Sequence, residues 1–214
     1  MAIPREARRI TYSTNIRERK RIVLSEEQKA VIVGSILGDA HLEANWSKTN
    51  YRLGIRHSKD QEKYVWWTYE LLKPLVLTPP QYYDRTRSVW FRTISHCELS
   101  ELYRIFYRDG KKIIPVAIAE YLANPLIMAV WFMDDGNVRK RRGKLSGYNL
   151  NTQSFSVKEN ECLRDVLSSL HNIHCVVEKN HGYSRLGIYA RESRVQFANM
   201  IRDYVIPSLA YKIG

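Results

Sequence analysis

Hydrophobic positions along this chain follow two recurring designs. The first is an unbroken apolar run that ends in acid. Asn124 is a good N-cap and Pro125 suits the first helical position, which predicts a helix through Leu126, Ile127, Met128, Ala129, Val130, Trp131, Phe132 and Met133. A helix apolar on every side must be buried on most of them. It nevertheless runs into Asp134 and Asp135 before Gly136 stops it. Ser25-Glu-Glu-Gln28 reads as a capping box opening an earlier helix of the same kind, Ala30 to Leu37, which ends in Gly38 and Asp39. A carboxylate at a helix C-terminus faces the negative end of the macrodipole, unfavourable by roughly 0.3–1 kcal/mol.

The second design is alternation. After the first acid helix, Asn50 to Arg56 predicts a strand with Leu53 and Ile55 on one face and Arg52, Gly54 and Arg56 on the other. After the second, Tyr148 to Gln153 alternates likewise, with Asn149, Asn151 and Gln153 on the polar face. Superposing the two Tyr-x-Leu triplets sets Arg52 on Asn149 and Arg56 on Gln153. An amphipathic helix follows in each half, over Gln61–Leu72 and Lys158–Leu170. Next comes a two-stranded ribbon: Gln81–Asp84 with Val89–Ile94 through a turn at 85–88, then Val176–Lys179 with Arg185–Tyr189 through a turn at 180–184. Each half closes with a further helix and then lysine, at Lys111-Lys112 and at Lys212. The predicted unit is helix, two strands, helix, two strands, helix, occurring twice. Its acid-to-lysine spacing is 73 in the first copy and 77 in the second.

The duplication gives the acids a meaning. Gly34, Ser35 and Gly38 are small enough to let another backbone approach, so the two acid helices can pack side by side. Asp39 and Asp135 then arrive together at one end of the seam. Adjacent carboxylates repel unless a divalent cation lies between them. Backbone carbonyls at the helix ends, such as those of Gly38 and Asp134, are natural additional ligands for a hard cation.

Composition narrows the class. The 214 residues are 44% apolar, enough for a real core, and carry a formal net charge of +12 with 14 Tyr, many of them among Arg and Lys. That combination points to a polyanionic partner. Arg, Asn and Gln make bidentate contacts to guanine and adenine edges, and a two-stranded ribbon fits the major groove. The ribbons carry Arg85, Arg87, Arg92, Lys179, Tyr183, Arg185 and Arg191. Arg139, Lys140, Arg141 and Arg142 form the densest cationic run, expected as a loop on the DNA backbone. For all these residues a solvated polar face is the competing reading. Arg5, Arg8, Arg9, Arg17, Arg19, Lys20 and Arg21 crowd a basic N-terminal arm. Cys97, Cys162 and Cys175 lack CxxC spacing, which argues for a reducing compartment and against a zinc finger or disulfide framework. No apolar run approaches a membrane span, and no signal-peptide core opens the chain.

Ile32-Val-Gly-Ser-Ile-Leu-Gly-Asp-Ala40 and Met128-Ala-Val-Trp-Phe-Met-Asp-Asp-Gly136 resemble the two signature helices of single-chain LAGLIDADG homing endonucleases of the yeast mitochondrial ribosomal-intron type. Asn151-Thr-Gln-Ser-Phe155, Lys111-Lys-Ile-Ile-Pro115 and Tyr211-Lys-Ile213 extend the likeness over residues 25 to 214. Ala40 departs from the family's frequent Gly. The resemblance implies an α+β fold of pseudo-two-fold αββαββα halves, with a saddle-shaped antiparallel sheet and two central packed helices. It divides the chain into a basic arm (1–24), an N-terminal half (25–122) and a C-terminal half (123–214). It also implies a monomeric, Mg²⁺-dependent enzyme, Mn²⁺ substituting, that cuts a long pseudo-symmetric site in double-stranded DNA and so mobilises an intron. Asp39 and Asp135 are the implied metal ligands, Asp135 taking the position for which Asp134 is the rival. Lys112 and Lys212 line the active sites, and Gln153 lies near the cleavage region or reads a base.

Two other functions fit the same scaffold, an RNA maturase acting on group I intron RNA and a non-catalytic DNA-binding regulator. Each is intracellular, in a bacterial cytoplasm or an organelle, without membrane attachment. His171-Asn-Ile-His-Cys175 lacks a complementary Cys/His pair for zinc. No Gly-rich loop followed by Lys and Ser/Thr supports nucleotide hydrolysis.

Overall fold

The structure is a computed structural model describing residues 14–47 and 49–214. Arg5, Arg8 and Arg9 of the basic arm lie outside the described residues. The chain forms two compact units. One holds the residues up to Gln28 together with His41–Tyr103, and the other holds Lys29–Ala40 with Arg104–Gly214.

In the first unit, helix α1 (Thr14–Arg19) is pinned by Arg19, whose guanidinium donates to the carbonyls of Lys73, Pro74 and Val76. Strands β1 (His41–Ala44), β2 (Tyr51–Ser58), β3 (Gln81–Tyr83) and β4 (Ser88–Arg92) form an antiparallel sheet in the order β1-β2-β4-β3. Leu53, Ile55, Val89 and Phe91 are buried, whereas Arg56 and Arg92 are exposed, as the alternation predicts. Helix α3 (Glu62–Leu72) covers the apolar face, and Tyr69 meets Phe91 edge-on.

The second unit repeats that topology. Strands β7 (Gly136–Arg141), β8 (Lys144–Leu150), β9 (Val176–Asn180) and β10 (Tyr183–Ile188) are ordered β7-β8-β10-β9. Helices α7 (Val157–His171) and α8 (Arg191–Ile201) pack on this unit, where Phe132, Tyr148 and Phe197 form a cluster of rings. A short hairpin, β5 (Tyr107–Arg108) with β6 (Lys111–Lys112), follows α4 (Cys97–Phe106) and precedes α5 (Ile118–Leu122). The class is therefore α+β, with two four-stranded antiparallel sheets and one two-stranded hairpin.

Both acid helices form with the predicted ends. In α2 (Glu26–Leu37), Ser25 Oγ accepts the Gln28 amide while Gln28 Oε1 accepts the Ser25 amide. In α6 (Pro125–Asp135), Asn124 Oδ1 accepts the Leu126 amide and Gly136 continues as extended chain. Residues Ala30 to Leu37 and Ile127 to Asp134 are buried throughout. The small residues act as expected, because a Cβ on Gly34 would lie 2.6 Å from Val130 Cβ and 2.8 Å from Ile127 O.

Three local expectations need correction. Strand β8 ends at Leu150, so Asn151 and Gln153 lie beyond it in a turn, and the register superposing Arg56 on Gln153 does not hold. The Asn151 amide still donates to Asp135 O at 3.2 Å, in register with the β7–β8 pairing, but Asp135 is the last residue of α6, so the partner strand ends there and Thr152 Oγ turns to donate to the buried Asn160. Arg139, Lys140 and Arg141 are strand residues rather than a loop, joined to β8 by Arg142 (φ 52°) and Gly143 (φ 76°). Two consecutive residues at positive φ make the tight turn whose twist suits a hairpin. Arg191 is not on the ribbon but opens α8.

The contact at Gly34 yields a stability prediction. Gly34→Ala raises intrinsic helix propensity by about 1 kcal/mol, yet it forces apart backbone and side chain in a close-packed seam. We expect a net loss of about 1–3 kcal/mol by urea denaturation. A more stable variant would contradict the close approach.

Candidate active site at the paired helix ends

All six residues expected at the reaction centre fall within the second unit, at the C-terminal ends of α2 and α6. The carboxyls of Asp39 and Asp135 hydrogen-bond to each other, so residues 96 positions apart in the chain become neighbours. Burial pushes the Asp135 carboxyl up to about 8, and the charges of Asp39 and Asp134 push in the same direction. Lys112 opposes them. Burial and the facing acids thus favour the protonated form of Asp135.

Asp134 is placed differently. Its Oδ2 accepts the backbone amide of Asp39 at 3.2 Å, and its side chain fills the space a Cβ on Gly38 would need. Gly38 is the residue that lets this carboxylate approach the opposite helix. Asp134 thus serves the seam, whereas Asp135 serves the paired-acid point.

Each helix end also receives one lysine. Lys112 Nζ donates to Gly38 O at 2.5 Å, and Lys212 Nζ donates to Met133 O at 2.5 Å and to Asp134 O at 3.4 Å. A cation on the last carbonyls of a helix offsets the dipole that the acids face. Burial lowers the pKa of both lysines, and the charges of Asp39, Asp134 and Asp135 act against that shift. Lys212 is only 7% exposed, an unusual position for a lysine without a functional or ion-pairing reason.

The oxygen atoms gathered here are hard donors of the kind Mg²⁺ prefers: two carboxyls in contact, beside main-chain carbonyls. Among the described residues no three His, Cys, Asp or Glu side chains form a cage. A divalent ion at this point would therefore take Asp39, Asp135, carbonyl oxygens, and oxygens from water or a phosphate.

The expected nucleic-acid residues lie on the strands and connecting turns of two separate sheets, apart from Arg191 on α8. In the first unit, Arg52 is held by Glu43 across the β1–β2 pair at 2.8 Å. Arg56 and Arg92 flank Trp90, with guanidinium carbons 6.0 and 5.8 Å from its ring. Arg85 and Arg87 are exposed in the β3–β4 turn, Arg87 at φ 46°. In the second unit, Lys179 and Tyr183 are exposed on the β9–β10 ribbon. Arg185 binds Glu178 at 2.7 Å, Asn151 donates to Asn137 at 3.2 Å, and Lys140, Arg141 and Arg142 are exposed. Asn149 is buried at 3%, its Oδ1 accepting the Tyr189 hydroxyl at 2.9 Å.

Tyr189, Glu178 and Trp90 were not singled out from the sequence. The Tyr189 ring lies across Gly147 and Gly187, where any Cβ would collide with it, and Arg139 donates to its hydroxyl at 3.0 Å. Burial alone would raise the Glu178 pKa. Hydrogen bonds from Tyr189 and Arg185, with the charges of Arg185 and Arg139, outweigh burial and hold it below the usual range. The only sequence signal was glycine at alternate strand positions, which marks a close approach without naming what approaches.

Comparison with known proteins agrees with this geometry. The model of the LAGLIDADG DNA endonuclease family matches residues 29–196. The cytochrome b mRNA maturase bI2 of Debaryomyces hansenii is 27% identical over 202 residues, covering 89% of this chain and 75% of that protein. Probable intron-encoded endonuclease 1 of Wickerhamomyces canadensis is 27% identical over 200 residues, covering 89% and 85%. The chain spans about half the length of several other curated relatives. Among solved structures, the homing endonuclease I-WcaI bound to its DNA recognition sequence is 25% identical, with a TM-score of 0.86 over 95% of this chain and 93% of that one. The duplicated αββαββα elements, the acid helices and these matches agree: the chain belongs to the LAGLIDADG DNA endonuclease family.

Proposed function

We propose that this protein is a sequence-specific homing endonuclease that acts as a monomer on double-stranded DNA, using Mg²⁺, with Mn²⁺ as a substitute, to promote intron mobility. The single observation carrying this reading is the contact between Asp39 and Asp135 at the ends of two buried helices, with Lys112 and Lys212 on the adjoining carbonyls.

Asp39 and Asp135 would hold the divalent cation, aided by the carbonyls of Gly38 and Asp134. When bound, the ion supplies a Lewis acid that activates water and neutralises the phosphate and leaving oxygens. The protein's own groups do the remaining work. Lys112 and Lys212 hold positive charge beside the reacting phosphate, one at each helix end, so each can serve one strand of a roughly two-fold site. Gln153, in the turn after β8, lies near the cleavage region or reads a base. Arg52, Arg56, Arg85, Arg87 and Arg92 on one sheet, with Arg139, Lys140, Arg141, Arg142, Asn151, Lys179, Tyr183 and Arg185 on the other, contact phosphates and base edges, and buried Asn149 acts through the hydroxyl of Tyr189. Arg191, although on α8, is exposed and remains a candidate phosphate contact. The protein works inside the cell, in an organelle or a bacterial cytoplasm; among the described residues no helix is long and apolar enough to cross a membrane.

A second reading, an RNA maturase acting on group I intron RNA, is favoured by the likeness to the Debaryomyces maturase. One pair of variants separates the two. In the endonuclease reading, Asp39→Asn and Asp135→Asn bind a target recovered by cleavage selection with near wild-type affinity but cut it at least about a hundredfold more slowly, as loss of positioned charge requires. Wild-type protein that leaves such DNA intact, while both variants still promote splicing, would replace the endonuclease reading by the maturase.

The raised Asp135 carboxyl adds a pH signature. The folded Asp135 carboxyl titrates near 8 and the unfolded one near 3.8, so the ion-free protein should lose stability as pH rises from about 4 through about 8. A divalent cation replaces that proton, so its stabilising effect should grow over the same window. Thermal melts at pH 6 and pH 8, with and without Mg²⁺, measure this. An ion effect independent of pH would argue against the acid pair as the site.

A further inference from the structure

The two lysines reach the helix ends from very different supports. Lys212 ends a 3₁₀ segment (Pro207–Lys212), and the next carbonyl, that of Ile213, accepts the Tyr148 hydroxyl at 2.6 Å. Tyr148 is fully buried on β8, its ring edge-on to Phe132. Lys112 has no such foundation. It lies on a two-residue strand whose only ladder partner is another two-residue strand, and a pair that short has little stability of its own. Beyond it, the Ile113 amide donates to Phe106 O at 2.8 Å, and Pro115 supplies no donor. Pro115 O accepts the Ile118 amide at 3.0 Å within the same turn, and the tie to a distant element is the Ile114 amide, which donates to Glu159 Oε1 at 2.9 Å.

Glu159 is well suited to hold that segment still. Its Oε2 accepts the Ser156 amide at 2.8 Å and the Ser156 hydroxyl at 2.6 Å, while its own amide donates to Ser156 Oγ at 3.3 Å. This is a capping box on the 15-residue helix α7, which is anchored by buried Asn160, Leu163 and Leu167. An ordinary capping box needs one carboxylate oxygen. Here the second oxygen leaves the helix and takes the backbone two residues past Lys112. Asn160, one residue on, donates to the carbonyls of Thr152, Phe155 and Ser156, fixing the turn that carries Gln153.

We propose that Glu159 is a positioning residue for Lys112, and that the Tyr148 hydroxyl plays the matching part for Lys212. The two reacting centres are then braced separately, one by a carboxylate on an amide and one by a phenol on a carbonyl. This rests on the endonuclease reading, in which each lysine serves one strand. A brace acting through one lysine should affect one strand, whereas general destabilisation slows both together.

The test follows each strand separately on end-labelled target DNA under single turnover. Glu159→Ala should slow cutting of one strand about ten- to a hundredfold, as a small misplacement of a reacting group does, with the other strand within about twofold and DNA affinity unchanged. Tyr148→Phe, which removes only the hydroxyl, should slow the opposite strand. Nicked DNA should accumulate in both cases. Glu159→Gln, with one carbonyl oxygen in place of two, should fall between and guards against poor folding of the alanine variant. Equal slowing of both strands by each variant, or the same strand slowed by both, would overturn the proposal. Hydrogen exchange without DNA gives an independent readout: amides 111–114 should exchange faster in Glu159→Ala and be unchanged in Tyr148→Phe. Unchanged exchange in Glu159→Ala would overturn the brace. Wild-type protein that leaves the DNA uncut would instead sink the endonuclease reading, and exchange alone would then decide.

Discussion

The second unit depends on how closely two helices approach at their acidic ends. Neither helix is well designed for stability on its own. Each is apolar around its circumference, so neither can stand in water, and each delivers a carboxylate to the pole that least favours one. Packed at Gly34 and Gly38 they bury their apolar surface, but the same contact drives Asp39 against Asp135. Selection for stability alone would place a neutral or basic residue there. Acid at both ends makes sense when the occupant of the seam's end is a cation.

The surroundings fit that constraint. Lys112 and Lys212 satisfy carbonyls left open at the helix termini and bring positive charge to a point that carries three acids. Asp134 looks equivalent to Asp135 in the sequence but is consumed by the seam, taking the Asp39 amide above Gly38. The three carboxyls are thus divided, Asp134 to the seam and Asp135 to the pair with Asp39. Its cations have one atom each at a helix end, yet their supporting backbones differ. That asymmetry is what a duplicated enzyme acquires once its two halves diverge.

Much of this was legible in the residues. Caps at Ser25, Gln28 and Asn124 marked both acid helices, because a cap is a local interaction between residues a few positions apart. Alternation found the ribbons for the same reason. It failed at Asn151–Gln153, where the polar–apolar rhythm continues after the partner strand has given way to α6 at Asp135 and Thr152 has turned to Asn160. It failed again at Arg139–Arg141, where dense charge suggested a loop although Arg142-Gly143 is a tight hairpin turn. The roles of Tyr189, Tyr148 and Glu159 were not legible. Each acts on a partner 40 or more positions away, and only the fold brings those partners together.

The most direct test of the account is a double-mutant cycle on the acid pair in ion-free protein at pH 9, above the value near 8 of the Asp135 carboxyl. Unfolding free energies of wild type, Asp39→Asn, Asp135→Asn and the double variant measure the coupling without DNA or catalysis. Because relief of the facing charges outweighs the lost attraction to Lys112, the account predicts that each single change stabilises the protein and that the pair stabilises it by less than the sum, with a coupling of about 0.5–3 kcal/mol. Strictly additive effects, or single variants no more stable than wild type, would mean that the two carboxylates do not confront each other and that the proposed cation site does not exist.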